Sequence, residues 1–407
     1  MSPATQSKPV AVWWSNAVFF LAAHVAAACG LYLRPPSTVP RATLIMTILL
    51  WQIASFGITI GYHRLYSHRA FRASFGVRLV LSFLGAMAFQ GSIKWWTLRH
   101  RLHHRFTDDE EHDPYCATRG LLYSHVGWIF YKPKYEKLEF IERDDLEADP
   151  VVQFQHRYYV LLALFFGFVI PTLLGWTWGD ANGAFIYGGF VSRLLIWHCT
   201  FLVNSLAHWD GLQPYTDENT SRTNLVLALL TAGEGNHNFH AFPHDYRSGP
   251  AILDWDPSKW VIALLNTLGW AWGLRRADTN DIKDAIQHMS GKHADHHGPY
   301  TGSAQGIAEW AGAIWQRRDQ LDDYLRSNSC ACVVLIDGYA VDATSYMKEH
   351  PGGARLLRSY AVPNGALDGS EKWKDAGWAY NGGMNKHSNA ARKRMAQLRV
   401  AKIAFEL

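Results

Sequence analysis

The order of apolar and polar positions divides the chain before any motif is read. Residues 13–33 run for 21 positions without a charged side chain, 42–62 for another 21, and 158–178 for 21 more. Residues 181–207 add 27 positions in which Arg193 alone is charged. A helix needs about 20 apolar residues to cross the hydrocarbon core of a bilayer, so the pattern predicts four transmembrane helices. A single run of this kind suits a buried helix of a large soluble protein. Four of them, paired across the short loops 34–41 and 179–180, do not. Three shorter apolar stretches, 79–90, 225–232 and 260–272, are expected to be interfacial or core helices. The apolar run after residues 1–10 is of span length and reads as an uncleaved anchor, not a signal peptide. Arg193 would be costly against lipid and is expected to face the bundle interior.

Two hairpins of spans return the chain to its starting side each time. The polar segments 63–157 and 208–407 then share one face with the N-terminus. Were 79–90 a fifth span, His63 and His100 would lie on opposite sides of the membrane. Residues 278–303 are polar, with His288, His293, His296 and His297 and several glycines, and read as a solvated linker. Residues 304–407 are soluble in composition, with a strand-like run at 333–336. The expected organisation is a membrane domain over 1–277, a linker over 278–303 and a small α+β domain over 304–407. The fold class is mainly α: a four-helix transmembrane domain with a cytosolic helical cap, plus the α+β domain.

Composition changes this picture in two places. The five cysteines show no CxxC pair, so they read as free thiols facing a reducing compartment or lipid. The 18 tryptophans suit membrane interfaces, and the 20 histidines point to metal because they cluster. A net charge of +4 singles out no partner, and nucleic acid is not expected among them.

The clusters are His63-Arg64-Leu65-Tyr66-Ser67-His68, His100-Arg101-Leu102-His103-His104 and His237-Asn238-Phe239-His240. Asn204 and His208 end the fourth span. Residues three and four apart share a helix face, so His100 converges with His103 and His104, His237 with His240, and Asn204 with His208. Imidazole nitrogen suits Fe, Zn and Cu, and eight histidines can hold two ions with positions left open. A zinc hydrolase is the competing metal chemistry, but no HExxH is present. The first cluster begins where the second span ends and the fourth span ends at His208, which places the site at the membrane boundary.

At these residues the chain resembles the membrane acyl-CoA delta-9 desaturases, the stearoyl-CoA desaturases among them, and most closely fungal members with a fused haem domain. GYHRLYSHRA (61–70), QGSIKWW (90–96), HVGW (125–128), NSLAH (204–208), GEG (233–235) and DWDPSKW (254–260) carry the likeness over roughly residues 40–275. The resemblance implies that His63, His68, His100, His103, His104, His208, His237 and His240 ligate two irons, with Asn204 reaching one through water. It implies O2 as co-substrate and a saturated fatty acyl-CoA, stearoyl or palmitoyl, in a bent tunnel beneath the metals. It also implies membrane lipid around the spans, and an endoplasmic reticulum location with both termini cytosolic. Lys94, Arg101, Arg105, Lys132 and Lys134 are weak candidates for the CoA phosphates.

The third cluster departs from the family, whose box ends in two adjacent histidines. Here His240 is followed by Ala241, and the Phe242-Pro243-x-Asp245-Tyr246-Arg247 stretch arrives one residue early. One iron is then a ligand short, and His244 is the candidate substitute.

In the last segment, His350-Pro351-Gly352-Gly353 follows a strand-like run and an Asp337-Gly338 turn, and His387 is a second histidine 37 residues on. This part resembles cytochrome b5, which implies haem b with His350 and His387 as axial ligands. Residues 362–375 read as an inserted loop. The implied reaction is insertion of a cis double bond into the acyl chain, with electrons passing from an NADH-cytochrome b5 reductase through the haem. Three other readings compete. One is a different enzyme on the same scaffold, a di-iron acyl hydroxylase or a desaturase of another position. A second is an impaired variant acting only as a membrane haem electron-transfer protein. The third is a metal transporter, which the position of the histidines outside the spans disfavours.

Overall fold

The computed structural model describes residues 11–132, 135–294, 310–347, 350, 352–363, 375–381, 387 and 389–405. The chain divides into two compact units, one of residues Met1–Leu138 and Arg143–Met289, the other of Glu139–Glu142 and Ser290–Leu407.

The first unit holds four helices long and apolar enough to cross a membrane: α1 (Trp14–Leu33), α2 (Arg41–Ser67), and further on Tyr159–Trp176 and Ala181–Trp209. Between them come α3 (Phe75–Met87) and α4 (Ile93–Arg105), so the third and fourth long helices are α5 and α6. The chain is therefore a multi-pass membrane protein. The stretch 79–90 falls in α3 and the turn after it, and the 13 residues of α3 rise only about 20 Å, short of the ~30 Å hydrocarbon core.

Buried polar contacts fix how the hairpins pack. At one end Asp180 caps the start of α6 through Gly183 N–H, accepts from Thr43 Oγ1 at 2.7 Å and pairs with Arg34 at 2.9 Å. Both short inter-span loops therefore lie at the same end. At the other end Trp13 N–H donates to Phe130 O at 2.8 Å, which ties the start of α1 to the segment that follows the second histidine cluster. Within the bundle, His24 of α1, His198 of α6, His125 and Ser205 form a ladder with successive contacts of 3.0 Å. Such a ladder supplies polar glue where lipid offers no hydrophobic drive between helices.

Arg193 is buried on α6 as expected and donates to Met87 O and Ser192 Oγ, while Trp197 Nε1–H donates to Ala88 O at 2.9 Å. The two side chains satisfy the C-terminal carbonyls of α3, which would otherwise be orphaned inside the bundle. The helices α2 and α3 touch at glycines. A Cβ on Gly57 would sit 2.3 Å from Gly85 N, and one on Gly85 would sit 2.2 Å from the Tyr62 ring.

The cap follows α6. It includes α7 (Pro257–Thr267), N-capped by Asp256, and a two-residue antiparallel ladder pairing Arg72 with Trp272. Next comes α8 (Thr279–Ala294), a helix within the stretch 278–303 that was expected to be a solvated linker. Ile282 and Met289, seven apart on one helix face, are buried, and Ile282 packs with Phe239 and Ala277. Averaging the polar residues over the whole stretch hid that stripe. His288 is exposed on this helix, while the structure of 295–309 lies outside the described residues.

The second unit is a small α+β fold. Its four-stranded sheet is built from β1 (Ala313–Trp315), β2 (Val333–Ile336), β3 (Tyr339–Asp342) and β4 (Arg399–Ile403) in the order β1-β4-β3-β2. The β2–β3 hairpin turns at Asp337-Gly338, both with positive φ, as a two-residue primed turn requires. Trp315, Leu321, Leu325, Val333 and Leu335 make one core layer, and Val334, Ile336, Val341 and Tyr380 another. The loop expected at 362–375 falls largely outside the described residues.

Candidate metal centre

The first histidine pair rests on an unusual winding. Over Gly57–Ser67 the helix α2 widens into a π-helix, and His68 N–H donates to His63 O. Residues five apart point about 140° away from each other on an α-helix, but are hydrogen-bond neighbours in a π-helix. The HxxxxH spacing thereby becomes a single face, with the two rings 4.6 Å apart. The second cluster lies on α4, N-capped by Ser92, where His100 and His104 meet at i, i+4 with 3.1 Å between Nε2 atoms. The third lies on a 3₁₀ turn, His237–Ala241, in the cap.

These elements bring five histidines together. His63, His68, His100, His104 and His240 each offer a ring nitrogen, all within 4.8 Å of one another. Their Nε2 atoms meet at 3.2 Å (His63–His240), 2.9 Å (His240–His104) and 2.9 Å (His68–His100). Burial, with the neighbouring imidazoles, holds His68, His100, His104 and His240 well below the ordinary histidine range, so their nitrogens stay neutral with lone pairs available.

The other three expected ligands form a second group. The His103 and His208 rings lie 6.0 Å apart, and those of His208 and His237 5.1 Å. His103 Nδ1 meets Asp113 at 2.7 Å, a contact that outweighs burial and raises the basicity of the ring. His208 Nδ1 meets Thr220 Oγ1 at 2.8 Å, and that hydroxyl donates to Asp108 at 2.7 Å. Carboxylates behind imidazoles in this way orient metal ligands. His208 Nε2 and His237 Nδ1 are buried without a hydrogen-bond partner. Orphaned nitrogens of that kind are costly unless they meet an ion, and the donor set is all imidazole, so the residues fit transition metals.

The two sequence segments are bolted together by buried ion pairs. Arg64 donates to Glu234 at 2.8 Å and to Asp256 at 2.9 Å. Burial alone would push the Glu234 carboxyl up, but Arg64 and His63 hold it well below the carboxylate range. Gly233, at φ +112°, admits Asp256 so closely that a Cβ would lie 2.5 Å from its Oδ1. Arg101 donates to Tyr66 O, Ser67 O and Asp145, clamping the first cluster to the second.

Arg101, among the weak candidates for the CoA phosphates, is buried in this clamp. Arg105 is buried as well, 5.6 Å from the Phe106 ring. Lys94 is paired with Glu147 at 2.9 Å, Lys132 is exposed, and Lys134 lies outside the described residues. His244 is exposed and is not among the five convergent histidines. Asn204 lines a cavity together with His63 and His100. Sequence reasoning did not single out Asp108, Asp113 or Thr220. The acidic run 108–113 was their only signal, and such a run ordinarily reads as a solvated loop.

Beside the five histidines lies a cavity of about 50 Å³. His63, His100 and Asn204 border it, and Ile58, Ile196 and Val203 give it an apolar wall between α2 and α6. In the second unit, the rings of His350 and His387 face each other 6.4 Å apart, tilted by 24°. His387 Nδ1–H donates to Tyr380 O at 2.8 Å, which leaves Nε2 as the nitrogen able to ligate. A facing imidazole pair fits a haem iron held from both sides.

A four-span membrane bundle carrying an all-histidine metal centre beside a mostly apolar cavity defines a class of membrane oxidoreductase. The chain belongs to the fatty acid desaturase family, whose model matches residues 36–244. It is 37% identical over 391 residues to a probable acyl-CoA desaturase of Schizosaccharomyces pombe, covering 95% of this chain and 77% of that protein. It is 38% identical over 366 residues to acyl-CoA desaturase 1 of Saccharomyces cerevisiae, covering 88% and 68%. With stearoyl-CoA desaturase 5 of Bos taurus it shares 35% identity over 276 residues, covering 66% and 82%.

Proposed function

We propose that this chain is an acyl-CoA desaturase that holds two irons on its eight clustered histidines and brings the reacting segment of a saturated stearoyl or palmitoyl chain to the cavity beside them. The observation that carries the reading is the cavity itself. Its lining is mostly apolar and includes His63 and His100, so a methylene buried there lies next to the metal ligands. The gain from burying an alkyl chain, about 0.8 kcal/mol per CH2, holds the substrate without any polar contact to the reacting carbons. When bound, the irons would supply the reduction of O2 and the removal of two hydrogens. The balance is one saturated CH2–CH2 unit, O2, two electrons and two protons giving one cis CH=CH unit and two waters.

The protein's own residues orient and exclude. Asp113 and the Asp108–Thr220 pair hold the rings of His103 and His208, Arg101 and Arg64 hold the clusters in register, and the cavity wall keeps water from the chain. In this reading Asn204 reaches one iron through water, and the half-buried Lys94 and the exposed Lys132 are candidates for the CoA phosphates. Electrons arrive one at a time through haem b between His350 and His387, supplied by an NADH-cytochrome b5 reductase. The match covering 95% of the chain supports a second unit that is part of this activity, since coverage of that extent includes most of residues 290–407. We place the protein in the endoplasmic reticulum membrane with both termini cytosolic, the start of α1 and the segment it bonds at Phe130 lying on that face.

The test is product analysis with purified chain, NADH, reductase and stearoyl-CoA. Oleoyl-CoA is expected. A hydroxylated product would favour the acyl hydroxylase reading. Haem absorbance with no product under any condition would favour electron transfer alone, the reading that the shortened third cluster motivates.

A further inference from the structure

The eight histidines do not divide evenly between two ions. Five of them, His63, His68, His100, His104 and His240, gather their nitrogens within 4.8 Å. The remaining three, His103, His208 and His237, each come from a different element, and two of them present buried nitrogens with no partner. His104 and His240 have rings 5.5 Å from His103 and 5.4 Å from His237, but each gives a nitrogen to the five-histidine group. Ala241 stands next to His240, and His244 is exposed.

We infer that the two metal positions of this chain are unequal: the five-histidine position holds its ion tightly and the three-histidine position holds a labile one. The inference rests on the two-iron reading above and adds which position is weak. Three protein ligands leave more of the coordination sphere to water, as in open catalytic sites. Fewer protein bonds must then break for the ion to leave. The Asp113 and Thr220 contacts on His103 and His208 keep the three rings aimed despite the missing ligand, so the position is weakened and not abolished. Loss of a single outer partner of a metal ligand costs about 10–100-fold in affinity, so loss of a direct ligand should cost at least tenfold.

The experiment is anaerobic release of non-haem iron from the detergent-purified full chain, loaded with Fe(II) and mixed with excess ferrous chelator. Two phases of one iron each are expected, differing at least about tenfold in rate. His237→Ala should remove the fast phase and keep the slow one, whereas His68→Ala should remove the slow phase. Inserting one histidine after His240 should slow the fast phase by at least about tenfold, leaving the slow phase unchanged. The inference is overturned if both irons leave the unmodified chain in one phase, or if the insertion changes neither rate. It is also overturned if His68→Ala removes the fast phase. The unmodified chain and the insertion decide the matter even if a substituted chain does not fold. A folded, monodisperse chain that binds no non-haem iron refutes the two-iron reading itself.

Discussion

The first two histidine clusters and the third are built differently. His63, His68, His100, His103 and His104 stand on helices, and the π winding of α2 and the i, i+4 spacing on α4 set their directions. His237 and His240 stand on a short turn whose backbone has no such internal order. Its position comes from buried polar contacts: Arg64 with Glu234 and Asp256 below, and Asn238 inside the cluster. Helix-borne ligands are aimed by local winding, and turn-borne ligands by tertiary anchors. The first arrangement tolerates damage to distant contacts, and the second does not.

The largest expected effect follows from Arg64. Replacing it with Met leaves two buried carboxylates, Glu234 and Asp256, without their cation, which costs about 3–5 kcal/mol. The thermal midpoint in detergent should fall, and binding of the His237 and His240 side chains to metal should fall with it. If only the midpoint moved and metal content stayed at the wild-type level, the third cluster would not depend on this anchor.

Asn238 sharpens the same comparison. Its Oδ1 accepts from Tyr215 and Thr216 N–H, and its Nδ2 donates to Thr216 O and Ser221 O, so every hydrogen-bonding valence of the buried amide is used. Asn238→Ala leaves Tyr215 N–H, Thr216 N–H and Thr216 O to find new partners, while Ser221 O keeps Gln213, a cost of roughly 2–4 kcal/mol. Asn238→Asp should recover only the acceptor half. A melt in which Asn238→Ala matched the unmodified chain would mean the turn is held elsewhere.

These anchors mark where the sequence stopped being legible. The four spans could be read within a few residues because membrane crossing imposes a length and a composition. The i, i+4 pairs on α4 could be read because helix periodicity is local. The convergence of His63 with His68 could not, since a five-residue spacing fits one face only after the helix widens. Likewise Arg101 reads as a surface cation from its neighbours in sequence, and only the fold brings Tyr66 O and Asp145 to it. The α8 helix was hidden because its apolar stripe is Ile282 and Met289 among polar residues. Asp113 and Thr220 serve rings that are distant in sequence or across a turn, and periodicity carries no signal for either.

Asp113 tests the helix-borne side. Asp113→Asn keeps the shape but removes the carboxylate behind His103, so affinity for the second ion should fall about 10–100-fold, with the first ion unaffected. Equilibrium metal titration of the purified chain measures it. Equal weakening of both ions would mean the two positions share their outer contacts.

His244→Ala should have the smallest effect, within about 0.5 kcal/mol in stability and with no change in iron per chain. The residue is exposed on the turn beyond the third cluster, and the five gathered histidines do not include it. A turn-borne ligand needs an anchor to aim it, and the neighbouring anchors, Asp245 with Arg247 and Tyr246 N–H with Arg275 O, hold the backbone in a conformation that leaves His244 at the surface. Loss of one iron on this substitution would reverse the conclusion. It would mean that the turn rearranges around metal to bring in His244 and that the three-histidine position becomes a four-histidine one. Local winding would then matter less to this centre than the mobility of its third arm.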